Sequence, residues 1–190
     1  VCITNINRQL LATTSTIDGV KVEVMTRRLL DINPDAEITA FEKRYDESTA
    51  SQFNLNEYDY VIDAIDSLAD KALLIRNACD SSATLFASMG AALKTDSSRI
   101  SVAEFWKVQG CPLAAALRRR FKRSKQLPSR KFRCVYSDEL FPNRGGVVEA
   151  DGSMTFDKVT INGTLAHTTA IFGLKLAELV INDIIKKGKE

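Results

Sequence analysis

Three groups of residues carry types and spacings that could do chemistry. Asn5-Ile6-Asn7-Arg8-Gln9 follows a short apolar opening. A guanidinium in that place can grip a phosphate through paired N–H donors while amide side chains orient a sugar or phosphate, although a solvated loop would have the same composition. Lys21 stands 13 residues beyond Arg8, in the first turn of an expected helix. The helix macrodipole disfavours a cation there by roughly 0.3–1 kcal/mol, which suggests an anionic partner, although an ordinary exposed lysine tolerates that cost. In Asp63-Ala64-Ile65-Asp66 an apolar strand delivers two carboxylates at and just past its carboxyl end. Asp63 is suited to holding a loop. Asp66 is placed to bind magnesium carried by a nucleotide, because that ion takes one or two carboxylates plus phosphate oxygens. A helix cap is the structural alternative for Asp66.

Positioning such groups needs a framework, and the hydrophobic pattern supplies one. Gly19 to Ile32 spaces Val22, Met25, Leu29 and Ile32 as an amphipathic helix that Asn33-Pro34 stops. Val1 to Thr4 and Glu37 to Phe41 read as strand, and Asp46 to Phe53 as a short helix with an acidic first turn. Asp59–Ile65 (strand), Leu68–Cys79 (helix) and Thr84–Ser88 (strand) then alternate, followed by a Gly90-Ala91-Ala92 loop. Beyond Asp96 come a strand over Arg99–Phe105, a helix over Pro112–Phe121, a basic linker, a strand over Phe132–Tyr136 and a turn-rich stretch, Pro142–Gly152. A last helix, Thr164–Lys187, carries Ile171, Leu174, Ala177, Ile181 and Ile184 on one stripe and ends in lysines. Strand–helix–strand repetition requires crossovers, so the expected fold is α/β. It is a doubly wound, Rossmann-like, mostly parallel sheet with a basic inserted or appended section and a C-terminal helix, and its ligands belong beyond the carboxyl ends of the strands.

Composition narrows the class. With 190 residues, 45% of them hydrophobic, the chain can bury a substantial core. Its net charge of +2 conceals a local excess, since nine of the sixteen residues from Arg118 to Arg133 are Lys or Arg. The four cysteines, Cys2, Cys79, Cys111 and Cys134, lie no closer than 23 residues apart, which suits reduced cytoplasmic thiols and gives neither a zinc spacing nor a disulfide framework. No apolar run approaches the roughly 20 residues of a membrane span.

The order Asn-x-x-Arg-Gln, a lysine 13 residues on, then Asp-x-x-Asp after a later strand resembles the ubiquitin-activating-enzyme-like superfamily of ThiF, MoeB and HesA type. Within it, Thr4 to Gln9, Lys21-Val22-Glu23-Val24-Met25, Ile32-Asn33-Pro34 and Tyr60 to Ser67 look like the tRNA threonylcarbamoyladenosine dehydratases. Pro112-Leu113-Ala114-Ala115, Val135 to Glu139 and Phe172-Gly173 extend the likeness. The resemblance implies one adenylation domain over 1–190, with a basic substrate-binding section at 106–150. It implies an ATP site in which Arg8 and Lys21 hold the phosphates, Asn5, Gln9 and Asp63 support them, and Asp66 binds Mg2+. The implied reaction adenylates the carboxylate of threonylcarbamoyladenosine in tRNA, then closes a ring with loss of AMP. Relatives of this type are also expected to form homodimers, to which an exposed apolar stripe on the last helix could contribute, and to accept a monovalent cation, Na+ or K+, that no residue here identifies. The glycine-rich phosphate loop of such proteins would lie upstream of Val1. The domain is therefore expected to be incomplete at its amino end, and a chain beginning at Val1 is expected to bind ATP poorly.

The basic stretch fits a cradle for tRNA phosphates, made of Arg118, Arg119, Arg120, Lys122, Arg123, Lys125, Arg130, Lys131 and Arg133, with Phe121, Phe132 and Tyr136 as candidates for stacking on bases. Cations at a helix carboxyl end are the structural alternative. Two other functions compete with the dehydratase. One is adenylation of a sulfur-carrier protein, against which the absence of paired Cys-x-x-Cys motifs argues, no zinc being expected. The other is a scaffold that binds RNA or a sulfur-transfer protein without turnover. Cys134 is expected to be a buried small hydrophobe and His167 a structural residue.

Overall fold

The computed structural model describes residues 1–143, 147–148, 159–160 and 162–188. The chain divides into two compact units, Val1–Asn54 and Leu55–Glu190.

In the first unit the one long element is α1, Lys21–Ile32. It ends where expected, with Asn33 N–H donating to the Leu29 carbonyl at 2.8 Å and Pro34 following. Three local expectations fail here for a common reason. Val1 to Thr4 is not a strand but leads into the single 3-10 turn Ile3–Asn5. Glu37 to Phe41 enters no ladder among the described residues, and Phe41 instead packs its ring 4.9 Å from Phe53, which also meets Tyr45 at 5.3 Å. Asp46 to Phe53 forms only the turn Ala50–Gln52, because Asp46 Oδ1 accepts from Ser48 N at 2.9 Å and Thr49 N at 3.2 Å and holds an Asx-type turn in place of a longer helix. Each segment needs partners beyond its own pattern.

The second unit follows its sequence closely. Strands β1 (Tyr60–Asp63), β2 (Thr84–Ser88), β3 (Ile100–Glu104) and β4 (Arg133–Ser137) form one sheet in the order β1-β2-β4-β3. β1, β2 and β4 are parallel and β3 is antiparallel to β4. Helix α2 (Leu68–Asp80) crosses from β1 to β2 and packs beside α3 (Pro112–Ser124), while α4 (Ala166–Lys187) packs on β2, β3 and β4. Val147–Val148 and Val159–Thr160 pair as a small antiparallel ladder, β5 and β6. The turn-rich reading of Pro142–Gly152 otherwise falls mostly outside the described residues.

Strand alternation decides which side chains meet which helix. Tyr60 and Phe86 share the α4 face with Val135, where Phe86, Ile100, Val135, Phe172, Leu176 and Leu179 form the core. The opposite parity aligns Asp63 with Ala87 and Ala87 with Cys134, and Asp63 meets α2 through Lys71. Helix α4 is apolar on two sides. Thr168, Phe172, Leu176 and Leu179 are buried, whereas Leu174, Ile181 and Ile184 of the stripe read from the sequence are 69%, 56% and 53% exposed. Periodicity alone cannot choose between two such faces, and the bulk of Phe172 against the sheet selects the buried one.

The approach to α3 turns at Gly110, whose φ is +65°. A Cβ there would stand 2.5 Å from the Asp138 carbonyl oxygen and 2.8 Å from its Cα. Gly110→Ala combines left-handed strain with a backbone clash, and is expected to cost about 1–3 kcal/mol or more. Its melting temperature should fall by at least several degrees in a thermal unfolding scan.

Candidate functional site

In the first unit the Asn5 turn is built from its own backbone. Asn5 is buried, its Oδ1 accepts from Cys2 N at 3.2 Å, and its carbonyl accepts from the N–H groups of Arg8 at 3.1 Å and Gln9 at 2.9 Å. Half-buried Arg8 is held by Nη1 donating to the Thr4 carbonyl at 2.8 Å and to Asn7 Oδ1 at 2.9 Å, and Gln9 is half-buried beside it. Asp18 N–H donates to the Val1 carbonyl at 2.9 Å, which ties the start of this turn to the residues leading into α1. Lys21 is the first residue of α1 and exposed. It lines an open pocket of about 520 Å³ with Asp18, Phe41, Lys43 and Arg44, a size suited to a nucleotide. Asn5, Arg8 and Gln9 are not among its wall residues.

In the second unit β1 delivers the two aspartates to opposite environments. Asp63 is fully buried and ion-paired at 2.7 Å with Nζ of Lys71, itself without exposed surface. Burial pushes the Asp63 carboxyl up, opposed by the Lys71 ammonium. The capping position of α2 falls to Ser67, so Asp66 stands exposed in the loop just past the strand end. A single outward carboxylate is the donor a phosphate-bound magnesium requires. Among the described residues no group of three or more His, Cys, Asp or Glu could hold a metal by itself.

The same edge of the sheet carries a knot that the sequence did not reveal. Glu139, just past β4, accepts from Thr95 N at 2.7 Å, Thr95 Oγ1 at 2.7 Å and Asp96 N at 3.0 Å. Lys94 is buried and donates through Nζ to the Glu139 carbonyl, and its own carbonyl accepts from Thr168 Oγ1 at 3.1 Å. His167 Nε2 lies 3.0 Å from the Thr95 carbonyl. The loops after β2 and β4 and the start of α4 are thus stitched together, His167 included. Partners 40 or more residues apart leave no local pattern to read.

The basic section divides into two classes of cation. Arg118 donates to the Phe105 carbonyl at 3.0 Å and lies over the Phe105 ring, and Arg130 donates to the carbonyls of Ala78, at 2.7 Å, and Ala83. Arg119, Arg120, Lys122, Arg123, Lys125, Lys131 and Arg133 are exposed. Helix α3 starts near the carboxyl edge of the parallel strands, where Gly110 meets Asp138 and Gly90 meets Leu113. It ends at the amino edge, where Arg130 reaches Ala83 before β2 and Arg133 opens β4. Lys122 to Arg133 therefore lie across the sheet from Asp66, about 15 Å away along a five-residue strand. Two aromatic expectations are corrected. Phe121 and Phe132 are buried against Phe105, so neither can stack on a base, and Tyr136 is half-buried. Cys79, Cys111 and Cys134 are buried and Cys2 is exposed. Burial raises the Cys134 thiol strongly, in keeping with the small-hydrophobe reading.

The whole chain, residues 1–190, matches the ThiF family. A tRNA threonylcarbamoyladenosine dehydratase of Bacillus subtilis is 39% identical over 139 residues, which are 73% of this chain and 54% of that protein. The match thus spans about half the length of that relative. A protein of the same name from Haemophilus influenzae is 33% identical over 98% of this chain and 74% of its own. The solved structure of the Escherichia coli tRNA N6-threonylcarbamoyladenosine dehydratase in complex with ATP superposes with a TM-score of 0.83 at 30% identity, over 100% of this chain and 73% of that one. Among the described residues no helix is long and apolar enough to cross a membrane.

The Glu139 knot sets a pH signature. Three donated hydrogen bonds hold its carboxyl down to about 2, from an ordinary 4.5. The group is charged in the fold and protonates more readily in the unfolded chain. Its contribution is therefore complete above about pH 4.5 and is lost as the pH falls toward 2. Glu139→Gln should be less stable than the parent at neutral pH, with a difference that shrinks across that window in urea titrations. A difference independent of pH would contradict this assignment.

Proposed function

This chain belongs to the ThiF family, and from that premise we propose that it is an ATP-dependent dehydratase that adenylates the carboxylate of threonylcarbamoyladenosine in tRNA and cyclises it. The likeness to threonylcarbamoyladenosine dehydratases along essentially the whole chain carries this reading. The substrate carboxylate attacks the α-phosphorus of ATP and pyrophosphate leaves. An internal nucleophile of the same side chain then attacks the activated carbonyl and AMP departs, so the nucleoside loses one water in total.

Attack on an anionic phosphate is limited by charge and orientation, so the protein's task is chiefly to position reactants and to neutralise charge. In this scheme Arg8 and Lys21 face the phosphates and the Asn5–Gln9 turn presents Arg8. Asp66 supplies the carboxylate for Mg2+, which would offset phosphate charge. Asp63 acts through the loop it anchors. The exposed cations on α3 and its following loop contact tRNA phosphates away from the reacting nucleoside. The exposed Leu174, Ile181 and Ile184 face supports a homodimer, and a cytoplasmic location is the one that goes with this reading. A monovalent cation, Na+ or K+, and a sulfur-transfer protein complete the family expectations, without residues assigned to either.

Full-length protein incubated with ATP, Mg2+ and tRNA bearing threonylcarbamoyladenosine should yield AMP and a nucleoside lighter by one water in mass spectrometry; an unchanged nucleoside mass rejects the reading. Arg8→Ala should lower kcat/KM about 30- to 150-fold, the loss of one charge-assisted contact. Replacing Arg119, Arg120 and Arg123 together by Gln should raise KM for tRNA and flatten its salt dependence by roughly one unit of slope per lost phosphate contact, leaving KM for ATP unchanged.

A further inference from the structure

The two carbonyls that flank Asp66 accept from one residue. Lys71 Nζ donates to the Ile65 carbonyl at 3.0 Å, and Lys71 N–H donates to the Ser67 carbonyl at 2.9 Å. The same ammonium pairs with Asp63 Oδ2 at 2.7 Å, while Asp63 Oδ1 accepts from Ile65 N at 3.0 Å. The loop from β1 to α2 is thus held ahead of Asp66 by the Asp63–Lys71 pair, whose side chains have no exposed surface, and after it by the first backbone bond of α2.

Stability alone does not call for this arrangement. Taking two charges out of water is costly, and well-packed apolar residues of similar volume often serve a core as well or better. What the pair adds is direction: a cation fixed at one point draws the Ile65 carbonyl inward and leaves the next side chain outside. Lys71 also occupies the buried face of α2, one turn before Ile75 and two before Ala78, where a hydrophobe would be ordinary.

We propose that Lys71 is a positioning residue that holds Asp66 in place for the nucleotide-bound divalent cation. This rests on the reading of Asp66 as the carboxylate for that cation, and the test separates the two. Mn2+ affinity in the presence of a non-hydrolysable ATP analogue would be measured by electron paramagnetic resonance on full-length protein. Hydrogen exchange of the segment 64–67 would be followed in the same variants. Lys71→Met is expected to weaken Mn2+ binding about 10- to 100-fold, as loss of a residue supporting a ligand does, with faster exchange of that segment. Should the lone Asp63 charge prevent folding, Asp63→Val with Lys71→Met removes both charges, and is expected to fold and still bind Mn2+ weakly. Lys71→Arg retains a cation and should recover part of the affinity. Parental Mn2+ affinity in either folded variant lacking the Lys71 amine overturns the proposal. Asp66→Asn serves as the reference: loss of affinity there but not in the Lys71 variants rejects the positioning role alone, whereas no loss on Asp66→Asn rejects the reading of Asp66 itself.

Discussion

Parallel strands cannot be joined by a hairpin, so each step from β1 to β2 to β4 uses a crossover that returns the chain to the amino edge of the sheet. This constraint gathers Asp63, Ser88 and Ser137 at one edge and makes the two edges chemically different. One edge collects the outgoing loops, with Asp66 and the Lys94–Glu139 knot. The other collects the incoming ones, and because α3 runs from the first edge to the second, its basic carboxyl end is carried there with Lys125, Lys131 and Arg133. Antiparallel β3 closes the sheet beside β4 without adding a third site.

Charge is handled in two ways within this framework. Lys71, Lys94, Arg118 and Arg130 spend their donors on backbone carbonyls, tying loops and element ends together. Burial lowers the Lys94 ammonium, yet the geometry around Glu139 still gives it a carbonyl to bond. The remaining cations of the basic section stay in solvent, where they can exchange water for phosphate. A net charge of +2 reports neither population, because the distribution and not the sum distinguishes them.

How much could be read in advance follows from how local each signal is. Apolar runs bounded by turn residues located β1, β2, β3 and β4, and the helical segment Leu68–Cys79 between two of them located α2, since packing is written at a fixed period. Glu37 to Phe41 alternates as well as those strands do, but its Phe41 is claimed by Phe53. The inward turn of Asp63 and the outward one of Asp66 were half-legible from their parity across a strand end. Lys71 was missed because a helical lysine ordinarily reads as solvent-facing; its signal is the spacing Lys71, Ile75, Ala78, which sets a charge on the apolar face eight residues after a strand-terminal aspartate. Glu139 and Lys94 meet across 45 residues and had no such trace.

The thiols carry a practical consequence. Three are sealed in the interior, and Cys134 is pushed far from ionising by its burial. Cys2 is exposed, and a hydrogen bond from Thr4 Oγ1 at 3.2 Å lowers its thiol below the ordinary value. Its own N–H is bonded to Asn5. Of these four thiols an alkylating fluorophore would therefore select Cys2, three residues from Asn5 and six from Arg8, as a spectroscopic reporter beside that turn.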